Sequence, residues 1–146
     1  MKTIGDILAV KGNKVHTISP EALVLRAVET MVENNIGALV VMDDARIHGM
    51  ISERDYLRKI VVKGRRSHDT RVKEIMTGEV VYATPAQNIG EAMAIMTQRR
   101  LRHLPVCDGP NLVGLISIGD LTHQMAADQQ VEINILQDYI ADNYPR

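Results

Sequence analysis

The chain has no Phe and no Trp among its 146 residues, and four Tyr are its entire aromatic content. The core must therefore be built from Val, Ile, Leu, Met and Ala. A planar ligand would find no large aromatic ring to stack on beyond tyrosine. A single cysteine, Cys107, excludes an internal disulfide and a structural zinc site made of several cysteines. Neither charge sign dominates: the formal net charge is -1 and the pI is near 6.5. The basic surplus usual in dedicated nucleic-acid binders is thus missing. No apolar run approaches the roughly 20 residues of a membrane-spanning helix. Met1-Lys2-Thr3-Ile4-Gly5-Asp6 lacks the apolar stretch of a signal peptide. These absences lead to the expectation of a cytoplasmic protein with neither nucleic acid nor membrane as partner. The five histidines share no ligand spacing, so no metal is expected.

What the chain does have is an internal repeat. A shift of 65 residues holds without a gap for about forty positions. It places Val15 on Val80, Pro20 on Pro85, Ala27 on Ala92, Met31 on Met96, Leu39 on Leu104 and Val41 on Val106. It also places Asp43 on Asp108, Gly49 on Gly114, Ile51 on Ile116, Ser52 on Ser117 and Asp55 on Asp120.

Each copy predicts strand, helix, strand, strand, helix, an α/β (α+β) unit. Ser19-Pro20 and Thr84-Pro85 read as helix starts, a hydroxyl N-cap followed by Pro at the first helical position, with Gln87 completing a capping box. Ile36–Met42 and Ile47–Ile51 read as a hairpin, as do Leu101–Cys107 and Leu112–Ile116. Residues 63–71 form a polar, basic linker, read as a solvated connector or as an electrostatic lip for phosphate. A related short segment precedes each copy, Ile4-Gly5-Asp6-Ile7-Leu8 and Val72-Lys73-Glu74-Ile75-Met76. Val131, Ile135, Leu136, Tyr139 and Ile140 mark an amphipathic C-terminal helix, expected to pack on the pair or on a partner chain. The expected division is an N-terminal segment over 1–14, repeat one over 15–70, repeat two over 71–128 and the C-terminal helix over 129–146.

Gly49-Met50-Ile51-Ser52-Glu53-Arg54-Asp55 and Gly114-Leu115-Ile116-Ser117-Ile118-Gly119-Asp120 resemble the signature of cystathionine-β-synthase (CBS) domains. Arg102-His103-Leu104-Pro105-Val106-Cys107-Asp108 is similar to that family's second-strand motif. The resemblance runs from about residue 4 to about residue 127. It implies a tandem pair with pseudo-twofold symmetry, a Bateman module, and an adenine ligand such as AMP, ATP or NAD(H) between the copies. No cofactor is required.

Such a ligand needs a carboxylate for ribose hydroxyls, N–H groups at a helix start for phosphate, and apolar walls for adenine. Ser-x-x-Asp supplies the first two. Taken alone it also reads as a capping box with Asp in the usual Glu place, and the same Ser can do both jobs. By resemblance, the cleft with Asp120 uses Ser117 and Leu115, with Thr17, Ala22, Ile36 and Gly37 from copy one. The cleft with Asp55 uses Ser52, Met50 and Arg54, with Val80, Tyr82, Leu101 and His103 from copy two. Arg102 reaches either cleft as a phosphate contact. Arg99, Arg100, Arg102 and His103 gather positive charge near one mouth, and Ile36, Leu101 and Tyr82 must serve as adenine walls.

The leading expectation is a non-catalytic sensing module, forming a homodimer and signalling to an unidentified protein. The alternative is a ligand-free interaction scaffold. An enzyme ranks third, because no nucleophile elbow, metal-binding His pair or phosphate loop is present.

Overall fold

A computed structural model describes residues 2–143. Met1, residues 144–146 and the side chains of Tyr139 and residues 141–143 lie outside that description. Copy one contains β1 (Thr17–Ile18), α2 (Val24–Asn34), β2 (Ala38–Asp43), β3 (Arg46–Ser52) and α3 (Glu53–Tyr56), which widens into π-helical turns over Leu57–Val61. Copy two contains α5 (Ile89–Arg99), β4 (His103–Asp108), β5 (Asn111–Ser117) and α6 (Ile118–Asn143). The preceding segments form α1 (Ile4–Lys11) and α4 (Val72–Ile75).

The hairpins repeat down to their irregularities. Both pairs β2–β3 and β4–β5 are antiparallel, with a register shift between Val41 and Met42 and again between Val106 and Cys107. β1 runs parallel to β2, with Thr17 opposite Val40. Its counterpart shrinks to one parallel bridge, Ala83 to Val106. Proline explains the difference. In copy one the Val40 N–H donates to the His16 carbonyl (3.3 Å). The equivalent of Val40 is Pro105, which has no N–H to give.

The helices begin later than the sequence suggests. Ser19-Pro20 and Thr84-Pro85 are turns, and α2 and α5 start only at Val24 and Ile89. The turn carbonyls have other partners. Pro20 O and Ala22 O accept from Lys73 N and Val72 N, and Pro85 O and Gln87 O accept from Gly5 N and Ile4 N. Gln87 Oε1 still accepts from Thr84 N (2.9 Å), so half of the expected box is present within the turn. Asn88 is the true cap of α5, its side chain accepting from Glu91 N (2.8 Å). α2 has no side-chain cap. Its Val24 and Leu25 amides donate to the Thr70 and Ser67 carbonyls of the linker instead. That segment is therefore a connector exposed along most of its length, with Thr70 buried, that also caps α2.

The short segments are exchanged between copies. α1 packs Ile4, Ile7 and Leu8 into the copy-two core with Ala83, Met96, Leu104, Val106 and Ile116. α4 packs Val72 and Ile75 into the copy-one core with Val24, Leu39, Val41 and Ile51. Two glycines make room. A Cβ on Gly114 would lie 2.6 Å from Leu8 Cδ2, and one on Gly49 would collide with the Thr77 carbonyl oxygen.

α6 is one continuous helix, so copy two's last helix and the C-terminal helix are the same element. Leu121 is fully buried, but Val131, Ile133, Ile135, Leu136 and Ile140 are exposed. The first expectation for its marked apolar residues, packing on the pair, is not met by Val131, Ile135, Leu136 and Ile140, and the Tyr139 side chain lies outside the described residues.

Candidate functional site

Each Ser-x-x-Asp unit is a reciprocal cap. Asp55 Oδ2 accepts from Ser52 N (3.0 Å) while Ser52 Oγ accepts from Asp55 N (3.3 Å). In copy two, Asp120 Oδ2 accepts from Ser117 N (2.8 Å), and Ser117 Oγ accepts from Asp120 N (3.1 Å). The first amide of each helix is also occupied: Glu53 N donates to Gly37 O (3.0 Å) and Ile118 N to Arg102 O (2.9 Å). The first and third amides of each helix are thus already bonded within the protein.

The second oxygen of Asp55 reaches across to Thr77, just past the end of α4. Oδ1 accepts from Thr77 Oγ1 (3.2 Å) and pairs with Lys59 Nζ (3.1 Å). With the Ser52 hydroxyl also donating to Oδ2, the carboxylate is well satisfied, and Asp55 as a residue is 8% exposed.

Asp120 meets a different partner. Lys11 Nζ donates to Asp120 Oδ2 (2.6 Å) and to the Leu115 carbonyl (2.7 Å). In copy one the corresponding Met50 carbonyl accepts from Thr77 N (2.8 Å) and the corresponding Asp55 from Thr77 Oγ1. One ammonium thus replaces the two donors of a threonine. The segments diverge because Ala9-Val10-Lys11 continues α1, whereas Thr77-Gly78 cannot extend α4 as readily. Burial pushes the Asp120 carboxyl up, but the Lys11 and Ser117 hydrogen bonds and the Lys11 charge outweigh it and hold it below the ordinary aspartate value. Burial, helped by the Lys11 charge, pushes His103 below the ordinary imidazole value.

The larger of the two principal cavities, about 610 Å³, lies beside Asp55. It gathers nine expected residues: Gly37, Met50, Ser52, Arg54, Asp55, Val80, Leu101, Arg102 and His103. Gly37 was expected in the other cleft. It stands here because its neighbours are His103 Cε1 and the Glu53 carboxylate. Ile36 instead lines a smaller cavity of about 260 Å³, with Val28, Met31 and Tyr56. Neither cavity is lined by Thr17, Ala22, Tyr82, Leu115, Ser117 or Asp120. Tyr82 is 44% exposed, Thr17 sits on an edge strand, and Ala22 packs on the copy-one core. Of the basic cluster, Arg100, Arg102 and His103 line the large cavity and Arg99 does not. Sequence reasoning missed Arg58, Lys59, Thr77 and Glu79 on its walls. The helical spacing of Arg54 and Arg58 was the available signal for the first.

No group of three metal-ligating side chains occurs among the described residues, and no described helix is long and apolar enough to cross a membrane.

Two exchanged, hairpin-centred copies around a shared cleft invite comparison with known proteins. The CBS domain model matches residues 4–62 and 72–127. The chain belongs to the CBS-domain family. Its relatives include the mitochondrial CBS domain-containing protein CBSX3 of Arabidopsis thaliana, 37% identical over 97% of this chain and 73% of that protein. Another is YhcV of Bacillus subtilis, a CBS domain-containing protein 32% identical over 83% of this chain and 84% of its own. A solved CBS-domain protein from Burkholderia ambifaria is 47% identical, with a TM-score of 0.84 over 88% of this chain and 96% of its own. This CBS pair is thus a regulatory type of module, of mixed α and β structure with two small sheets.

Proposed function

We propose that this CBS pair is a non-catalytic sensing module that holds an adenine nucleotide, AMP, ATP or NAD(H), in the cleft beside Asp55. The observation that carries the reading is the make-up of that cleft. Copy one contributes Met50, Ser52, Arg54 and Asp55, the hairpin side of copy two contributes Leu101, Arg102 and His103, and the stretch of copy two between α4 and α5 contributes Thr77, Val80 and Val81. A ligand touching all three biases how the copies sit against each other, and only by its differential affinity for the two arrangements.

In this reading the ribose hydroxyls take the Asp55 Oδ1 side, displacing Thr77 Oγ1 and freeing Lys59. Adenine lies among Met50, Val80, Val81 and Leu101, with no aromatic stack. A cleft beside Asp120 would first require Lys11 to leave its carboxylate. The solved CBS pair in complex with 5′-methylthioadenosine and S-adenosyl-L-methionine is only 20% identical, so its likeness carries the fold alone.

Thermal melts with AMP, ATP, NAD, NADH and S-adenosylmethionine test the reading. A ligand at 100 times its Kd stabilises by about 2.7 kcal/mol. The expected result is a raised Tm with at least one of them, abolished in Asp55→Asn, which keeps an acceptor for the Ser52 amide. The saturated hydrogen bonding of Asp55 favours one second reading, a ligand-free scaffold. A flat response to all five compounds would select it, and turnover of any of them would select an enzyme.

We also propose that the chain pairs with a second copy through the exposed apolar residues of α6. A cyanobacterial CBS-CP12 relative, 28% identical, is hexameric. Light scattering that reports a monomer at micromolar concentration would refute pairing.

A further inference from the structure

We propose that the cleft beside Asp55 is an oligophosphate site, selecting a ligand with two or three linked phosphates through Arg54, Arg58, Arg100 and Arg102, and that its pseudo-twofold counterpart is not. This deepens the nucleotide reading and rests on it only for the organic part of the ligand.

Five cations line the cavity, Arg54, Arg58, Lys59, Arg100 and Arg102, against three acids, Glu53, Asp55 and Glu79. Lys59 pairs with Asp55. None of the four arginines has a carboxylate partner within salt-bridge distance among the described residues. Guanidinium groups gathered on the wall of a concave site repel one another, and a multiply charged anion relieves that repulsion while accepting their forked hydrogen bonds.

The other copy supplies an internal control. Under the 65-residue shift, Arg54 becomes Gly119, Arg58 becomes His123, Lys59 becomes Gln124, Arg100 becomes Asn35 and Arg102 becomes Gly37. Every cation of the Asp55 cleft has a counterpart without a fixed positive charge. The other copy of the repeat is therefore built without these charges.

Arg100 adds a second observation. It ends α5 in the left-handed region, at φ 55° and ψ 44°. Asn35 ends α2 the same way, at φ 52° and ψ 51°. Asparagine tolerates that conformation far better than a long side chain does. The chain thus carries a strained arginine on the cleft wall where its own other half uses the easier residue.

The test is calorimetric titration of the full chain, at fixed ionic strength, with adenosine, AMP, ADP, ATP and inorganic tripolyphosphate. Affinity is expected to rise with each added phosphate, by about tenfold or more from AMP to ATP. Tripolyphosphate should bind and compete with ATP, and added KCl should weaken ATP more than adenosine. Arg100→Asn with Arg102→Gly installs the copy-one residues and should bring the ATP and AMP affinities to within about twofold of each other. A thermal melt confirms that this variant folds, and Arg54→Gln with Arg58→Gln gives an independent pair. Adenosine or AMP binding as tightly as ATP would overturn the proposal and leave the nucleotide reading standing, and so would an ATP preference untouched in both double variants. Tripolyphosphate binding without any adenine compound would support the anion site and overturn AMP and ATP as the ligand. No binding of any of the five would overturn the proposal together with those two ligands, and the thermal melts then decide NAD(H).

Discussion

Lys11 and Asp120 stand 109 positions apart, and their ion pair shapes one half of the molecule. Its pH dependence follows from the direction of the Asp120 shift. The folded carboxyl titrates below the ordinary aspartate value of 3.8. The pair's contribution is therefore fully present above that value, and it is lost as pH falls through the lower folded value. Lys11→Met keeps the apolar stem and removes the charge. With both partners partly exposed, the expected loss at pH 7 is about 0.5–1 kcal/mol. Urea melts at pH 7, 5 and 3 should show the difference between the two proteins shrinking toward zero at the acid end. A difference independent of pH would mean that Lys11 acts by packing alone. Nothing local in the sequence announces this contact. Lys11 reads as a surface residue at the end of a short helix, whereas Ser52, Asp55, Ser117 and Asp120 stood out because each pair occurs twice.

At the level of elements, the hairpins were the most legible part. Both consist of apolar runs flanking a turn, and the repeat fixed their common register. The helix starts were misplaced because Pro after a hydroxyl residue suits a turn as well as a first helical position, and the deciding hydrogen bonds come from segments remote in sequence. The copy-two strand lost at Pro105 was readable in principle, since proline cannot donate to a sheet. α6 carries the prediction that belongs here. Val131 with Ile135, and Leu136 with Ile140, are four apart, so each pair forms a row along the helix, the two rows on well-separated faces. All four are more than half exposed, at 58%, 62%, 57% and 56%. If these rows join two chains, truncation after Asp128 should convert a dimer into a monomer by light scattering while leaving the CBS pair folded. A truncated chain that stays dimeric would move the contact to other helices.

For the molecule as a whole, the exchange of α1 and α4 decides what can fold alone. The order of segments along the chain suggests that each short segment serves the repeat it precedes. Packing reverses that, and the sequence holds the reason only in hindsight: Gly49 and Gly114 leave a gap on each hairpin that a neighbouring segment fills. The copy-one core, from Ile18 to Ile75, is contained in one stretch of chain that includes Val72 and Ile75 of α4. The copy-two core is split, because Ile4, Ile7 and Leu8 arrive from the far end of the sequence. Losing a single buried aliphatic side chain costs about 2–5 kcal/mol, and losing three approaches the whole stability of a small domain. A fragment of residues 13–78 should therefore show a cooperative melt and a dispersed amide spectrum, near the lower size limit for an independent core. A fragment of residues 79–146 should show neither until a peptide of residues 1–12 is added in excess. If the second fragment folds unaided, α1 is an accessory to copy two. If the peptide restores its spectrum, the pair is held together by mutual completion, and anything that pulls Lys11 from Asp120 also loosens the helix that completes the copy-two core.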